Sequence, residues 1–100
     1  MAELLLLDFE GVAESDYRSV NAELGIDPDT GKGDWPVGLI THLAGVAEGG
    51  RLFVVESWTS RDAQAEFMQN RLGSALGRGG ITAIPKVTWA TLVGEQHPGG

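Results

Sequence analysis

The chain contains no cysteine. That excludes disulfides, thiolate nucleophiles and zinc–thiolate centres, and nothing in the composition calls for an oxidising compartment. Cations are also scarce: seven Lys and Arg stand against fourteen Asp and Glu, a net charge of −7. Phosphate backbones and anionic membrane surfaces are gripped by clustered Lys and Arg, and no such cluster occurs here. Nucleic acid and membrane are therefore not expected partners. The leucine run from Leu4 to Leu7 is far too short for a membrane span or a signal peptide, and no basic stretch precedes it. A cytoplasmic protein is expected. Histidine is nearly absent too. His42 and His97 have no second ligand close by in sequence, so no metal site is expected.

What is present describes one small domain. At 100 residues the chain has room for a single core. A chain of this size buries only roughly 60–70% of its unfolded surface, so association is a natural way to gain more. "ELLLLDF" reads as a strand whose leucines point to both faces, because side chains alternate along a strand. A strand apolar on both faces is central or belongs to a sheet covered twice. "SDYRSVNAELG" reads as a helix capped by Ser15 and stopped by Gly25. Its inward stripe is Tyr17, Val20, Asn21 and Leu24, so Asn21 is a polar group on a buried face and needs a partner or a ligand.

The loop "IDPDTGKGDW" leads to two strands, "VGLITHLAGV" and "RLFVVESW", joined by "AEGG" as a hairpin turn. The first of these reads as buried. "TSRDAQAEFMQNRLGSAL" is the second helix, capped by Thr59 or Ser60 and ended by "GRGG". Phe67, Met68, Leu72, Ala75 and Leu76 form its inner arc, and Arg71 falls inside that arc. "ITAIPKVTWATLVG" is the last strand, where Pro85 marks an edge or a bulge. Residues 1–94 form the domain and 95–100 a flexible tail containing His97.

The order β-α-β-β-α-β is the ferredoxin-like arrangement, an α+β fold with one antiparallel sheet and two helices on one face. The other face would be bare, and pairing it with the same face of a second chain covers it. A homodimer is expected on that ground.

Element order, "WPVGLITH" and "VVESWTSRDAQAEFMQNRL" together resemble the dimeric α/β-barrel proteins, specifically the small antibiotic-biosynthesis-monooxygenase-like members. The resemblance spans roughly residues 3–93, and its most specific piece is Trp58, Ser60, Asp62 and Phe67. It implies a pocket between sheet and helices with a tryptophan near the end of strand three, which Trp58 matches. The superfamily includes cofactor-free oxygenases of polyketide phenols, haem-degrading oxygenases, isomerases, cyclases and members without known activity. This chain departs from the oxygenase pattern at Asp8, where strand one often carries asparagine. It departs from the haem-degrading pattern in having no histidine on helix two. No cofactor is expected, and haem would need His42 as an iron ligand reaching from a strand.

The residues that bear on chemistry are His42, as proton-transfer group, with Trp58, Asn21, Tyr17, Phe67, Glu56, Arg71 and Trp35 around a small aromatic or apolar ligand. Each has a plainer reading. The aromatics are core, Arg71 lays its stem on apolar surface beside an acid, and His42 ties the sheet together. Glu56 must be paired or protonated if buried. Register decides whether His42 meets Glu56: an odd hairpin turn places them on one face, an even turn on opposite faces. Gly49 and Gly50 favour the odd turn. Two functions stay open: a small-molecule enzyme (a cofactor-free monooxygenase, or an isomerase or cyclase using His42) and a non-catalytic ligand-binding or accessory dimer.

Overall fold

Strand β1, Glu3–Phe9, lies in the middle of the sheet, and its alternation explains why four leucines can follow one another. Leu5, Leu7 and Phe9 turn inward and are buried, while Leu4, Leu6 and Asp8 face the other way. The computed structural model describes residues 2–81 and 83–99. Met1, Thr82 in the expected last strand and Gly100 at the end of the expected tail lie outside the described residues.

The remaining elements are α1 (Glu14–Leu24), β2 (Leu39–Val46), β3 (Leu52–Trp58), α2 (Arg61–Phe67), α3 (Gly73–Arg78) and β4 (Lys86–Thr91). The strands pair antiparallel in the order β2-β3-β1-β4, which is the ferredoxin-like α+β fold. A π-helical turn, Met68–Leu72, joins α2 to α3. Ser60 caps the second helical stretch by accepting the Ala63 N–H at 3.1 Å, as its sequence implies.

Four expectations are corrected. Helix α1 starts before Ser15: Ala13 holds the cap position and the Asp16 carboxylate accepts the Ala13 N–H at 3.0 Å. With no hydroxyl at the cap, only the reciprocal half of a capping box is made, the carboxylate three residues on reaching back to the cap residue's own N–H. Strand β2 begins at Leu39 rather than Val37. The chain first passes Gly38, whose φ of +93° and close approach to Ala63 admit no side chain, and only then enters the sheet. β2 is also an edge strand, exposed along most of its length, because only β3 flanks it. The last strand is shorter than read, beginning after Pro85, at the opposite edge.

Leu5, Leu7, Phe9, Val20, Val54, Trp58, Phe67 and Ala75 make up most of the core between sheet and helices. Each fully buried aliphatic or aromatic side chain there stabilises by about 1.5–3 kcal/mol. Arg71 fastens the loop before β2 to the helices, donating from Nη2 to the Asp34 carbonyl at 2.7 Å and the Leu24 carbonyl at 3.0 Å.

Candidate functional site

The turn between β2 and β3 sets the register of the site. Ala47 N–H donates to the Arg51 carbonyl at 2.8 Å and Gly50 N–H to the Ala47 carbonyl at 3.0 Å, leaving Glu48, Gly49 and Gly50 as an odd loop. Both glycines take positive φ, 88° and 83°, which a residue with a side chain rarely adopts. This register pairs His42 with Glu56 on the inner face, along with Ala44, Val54 and Val46. A bulge at Ile40 shifts the strand so that Leu39 opposes Trp58.

His42 joins two elements. Its Nδ1 lies 2.7 Å from Glu56 Oε2, and its Nε2 lies 2.7 Å from the Tyr17 hydroxyl on α1. The second carboxylate oxygen, Glu56 Oε1, accepts the Trp58 indole N–H at 3.0 Å. A carboxylate only accepts, so in the neutral imidazole Nδ1 carries the hydrogen and Nε2 accepts from the Tyr17 O–H. Burial pushes the Tyr17 phenol above its ordinary value, and the Glu56 charge adds to this against the opposing pull of Asn21 and Arg18. The phenol thus stays protonated and donates. The result is one directed chain of hydrogen bonds, Tyr17 to His42 to Glu56, with Trp58 fixing the carboxylate from behind.

An open cleft of about 370 Å³ runs over this chain between α1, the 26–35 loop and β2. Tyr17, Asn21, Arg18, Trp35 and His42 line it. Trp35 stands 5.3 Å from the His42 ring, tilted by 48°, and its indole N–H is held by the Gly31 carbonyl at 2.8 Å. Arg18 is held at the mouth by Glu14 at 3.1 Å and Asp29 at 2.9 Å, so the cation is already neutralised.

The structure brings His42, Glu56, Tyr17, Asn21 and Trp35 together and sets the other candidates apart. Asn21 donates to the Tyr17 carbonyl at 2.9 Å, giving the buried amide a partner on its own helix. Trp58 is fully buried and touches Glu56 and Phe67 rather than the cleft. Phe67 lies in the core under it. Arg71 faces away from His42, bound to Asp34 and over the Phe67 ring at 5.5 Å. Asp8 lies on the far face, paired with Arg51 at 3.0 Å. Arg18 and Glu14 at the cleft mouth were not singled out by sequence. Only the position of Arg18 beside Tyr17 on α1 could have indicated it.

Among the described residues no three His, Asp or Glu side chains gather in a way that could hold a metal. Haem does not fit His42 as it stands. Both ring nitrogens are engaged, and binding iron would break either the Tyr17 or the Glu56 hydrogen bond. No helix among the described residues is long and apolar enough to cross a membrane.

No family model matches the chain, and no curated protein matches it. Solved structures do. An assigned antibiotic biosynthesis monooxygenase from Chloroflexus aurantiacus superposes with a TM-score of 0.67 at 13% identity, covering 99% of this chain and 100% of that one. SnoaB, a cofactor-independent oxygenase from Streptomyces nogalater, gives 0.61 at 12% identity over 94% of each chain. The ActVA-Orf6 monooxygenase of Streptomyces coelicolor, solved with nanaomycin D, gives 0.55 at 18% identity, over 97% of this chain and 90% of that one. The chain thus has the fold of antibiotic-biosynthesis-monooxygenase structures.

Proposed function

Taking that fold as the starting point, we propose that this protein is a homodimeric, cofactor-free oxygenase of a small, uncharged aromatic phenol or enolisable ketone. The observation that carries the reading is the hydrogen-bonded chain Tyr17–His42–Glu56, which reaches the cleft at its phenol end. SnoaB is a cofactor-independent oxygenase and ActVA-Orf6 holds nanaomycin D, and both support this chemistry for a shared fold.

The substrate lies in the cleft against Trp35. Tyr17 accepts the acidic substrate proton at its oxygen while passing its own to His42 Nε2, and Glu56 stabilises the imidazolium that forms. The carbanion or enolate so produced gives its electron pair to dioxygen and forms a carbon–oxygen bond. The terminal peroxide oxygen takes the proton back from the relay. Loss of the remaining C–H proton and cleavage of the O–O bond then release water. One methylene and one dioxygen become one carbonyl and one water, so no external reductant is needed. Asn21 is the nearby amide for the developing oxyanion. Since Arg18 is neutralised by two carboxylates, nothing at the mouth recruits an anion, which favours an uncharged substrate.

The dimer is supported by the far face of the sheet. Leu43 there is 67% exposed, and Leu6 and Phe53 are exposed beside it. An apolar sheet face of this kind is what a second copy covers.

An oxygen electrode with a panel of naphthols and enolisable ketones tests the reading. Uptake with metal-free protein, lost in His42→Ala while the circular dichroism spectrum is kept, is the expected result. A folded dimer that consumes no oxygen with any of them would leave the relay as a buried structural network. The mutual satisfaction of both His42 nitrogens is the one observation that favours this non-catalytic reading.

A further inference from the structure

A second space lies beneath the cleft, between the inner face of the sheet and the helices. Its volume is about 70 Å³ and its walls are almost wholly apolar, formed by Leu7, Val54, Phe67, Leu72, Leu76 and Ile81. It shares Tyr17, Asn21, Trp35, His42 and Leu52 with the cleft, and Glu56 also reaches it. The proton relay therefore stands in the common wall, with the open cleft on one side and the apolar cavity on the other.

Size and chemistry limit what the cavity can hold. An aromatic ring is too large, since an apolar cavity of about 150 Å³ is what accommodates benzene. Water is small enough but needs about two to four polar partners. The few polar side chains beside it are turned to one another, the Tyr17 hydroxyl to His42, both His42 nitrogens to Tyr17 and Glu56, Glu56 to His42 and Trp58, and the Asn21 amide to the Tyr17 carbonyl, so the walls present almost no polar surface to a water. The single buried side-chain polar atom without a partner among the described residues is Glu3 Oε2, and Glu3 is not in this lining. An apolar space of this size and lining fits a small apolar gas molecule better than a water.

We infer that this cavity is a dioxygen site, storing the oxidant on one side of the His42 relay while the organic substrate occupies the cleft on the other. The inference deepens the oxygenase reading and rests on it. Dioxygen is apolar and passes readily from water into an apolar space, and here it waits beside the residue that generates the carbanion it oxidises. Separate places for the two reactants also keep the apolar gas from competing with the substrate for Trp35.

Methyl NMR under dissolved-oxygen pressure tests it on the whole protein, because paramagnetic dioxygen speeds the relaxation of methyls it visits. Leu7, Val54, Leu72 and Ile81 methyls should relax more than those of Val37 and Val93, which are 93% and 94% exposed. Two variants shrink the cavity from opposite walls, Val54→Leu from the sheet and Leu72→Phe from the helices, with thermal melts to confirm folding. Both should abolish the excess relaxation and raise the KM for oxygen about tenfold or more, the scale on which one methylene discriminates in an apolar pocket. The KM for the organic substrate should hold. Buried methyls that relax no faster than exposed ones would overturn the cavity's role. Unchanged oxygen KM in both folded variants would overturn its link to turnover. Failure of every substrate to consume oxygen would instead sink the oxygenase reading, and the relaxation data would still judge the cavity.

Discussion

The two faces of the sheet solve opposite problems. The inner face carries Glu56 and His42 among Leu7, Val54 and Trp58, and every polar atom of those two side chains is matched within the chain. The far face carries Leu6, Leu43 and Phe53 and leaves them exposed. Polarity is thus buried on one side and apolar surface is presented on the other. The difference teaches that burial alone does not identify a site here. What marks the inner face is a polar chain with a direction, ending at a cleft. What marks the outer face is an apolar surface that only association would bury.

The largest expected effect comes from breaking the inner face. Glu56→Leu orphans the His42 Nδ1–H and the Trp58 indole N–H together in a buried place. The cost expected is about 3 kcal/mol of folding stability, on the scale of breaking a buried pair. Urea unfolding measures it, and a loss under about 1 kcal/mol would mean the two donors find other partners. Association should be untouched, because Glu56 faces the helices.

The far face should behave in the opposite way. Phe53→Asp places a charge where the proposed second copy packs, and a central apolar anchor contributes about 2 kcal/mol, roughly thirtyfold in dissociation constant. Sedimentation equilibrium should show monomer gaining at the expense of dimer, with the far-ultraviolet spectrum retained. A protein already monomeric before substitution would remove the dimer from the proposal and leave the apolar face unexplained.

Much of this contrast was legible in the sequence. Four leucines in β1 announced a strand apolar on both faces, and the helix spacing set Tyr17, Val20, Asn21 and Leu24 inward. The double glycine of the hairpin favoured an odd turn, and the structure pairs His42 with Glu56 as that turn requires. Other features were out of reach. Strand β2 reads as buried from its apolar run, yet its burial depends on being at an edge, which no local pattern states. The placement of Trp58 behind Glu56 and of Arg71 on the loop carbonyls depends on where helices settle over the sheet. Sequence supplied the polar groups of the relay, and tertiary packing determined which of them meet.

Tyr17→Phe separates the two ends of that relay. It removes one hydrogen bond to His42 while keeping the ring, so a stability loss of about 1 kcal/mol is expected. Oxygen uptake should fall by about tenfold or more, since a relay proton step contributes on the order of a hundredfold or more. Full activity in this variant would put His42 in direct reach of the substrate and remove Tyr17 from the proton path.

The smallest effect is also the most specific, because Tyr17 is the single tyrosine of the chain and its ionisation can be followed alone by near-ultraviolet difference absorbance. Burial raises its pKa above the ordinary 10.0, and the Glu56 charge adds to the rise. Below pH 10.0 the phenol is protonated in both folded and unfolded chains, and its contribution to stability is whole. As pH climbs from there through the raised folded value, the unfolded chain sheds its proton more readily and the contribution is lost. The titration midpoint should therefore lie above 10.0. Glu56→Gln should bring it down by removing a charge from the same face. Asp8→Asn, which removes a charge from the far face beside Arg51, should leave it where it was. Equal shifts from the two substitutions would mean the sheet does not separate the faces electrostatically, and the relay would lose its claim to a private environment.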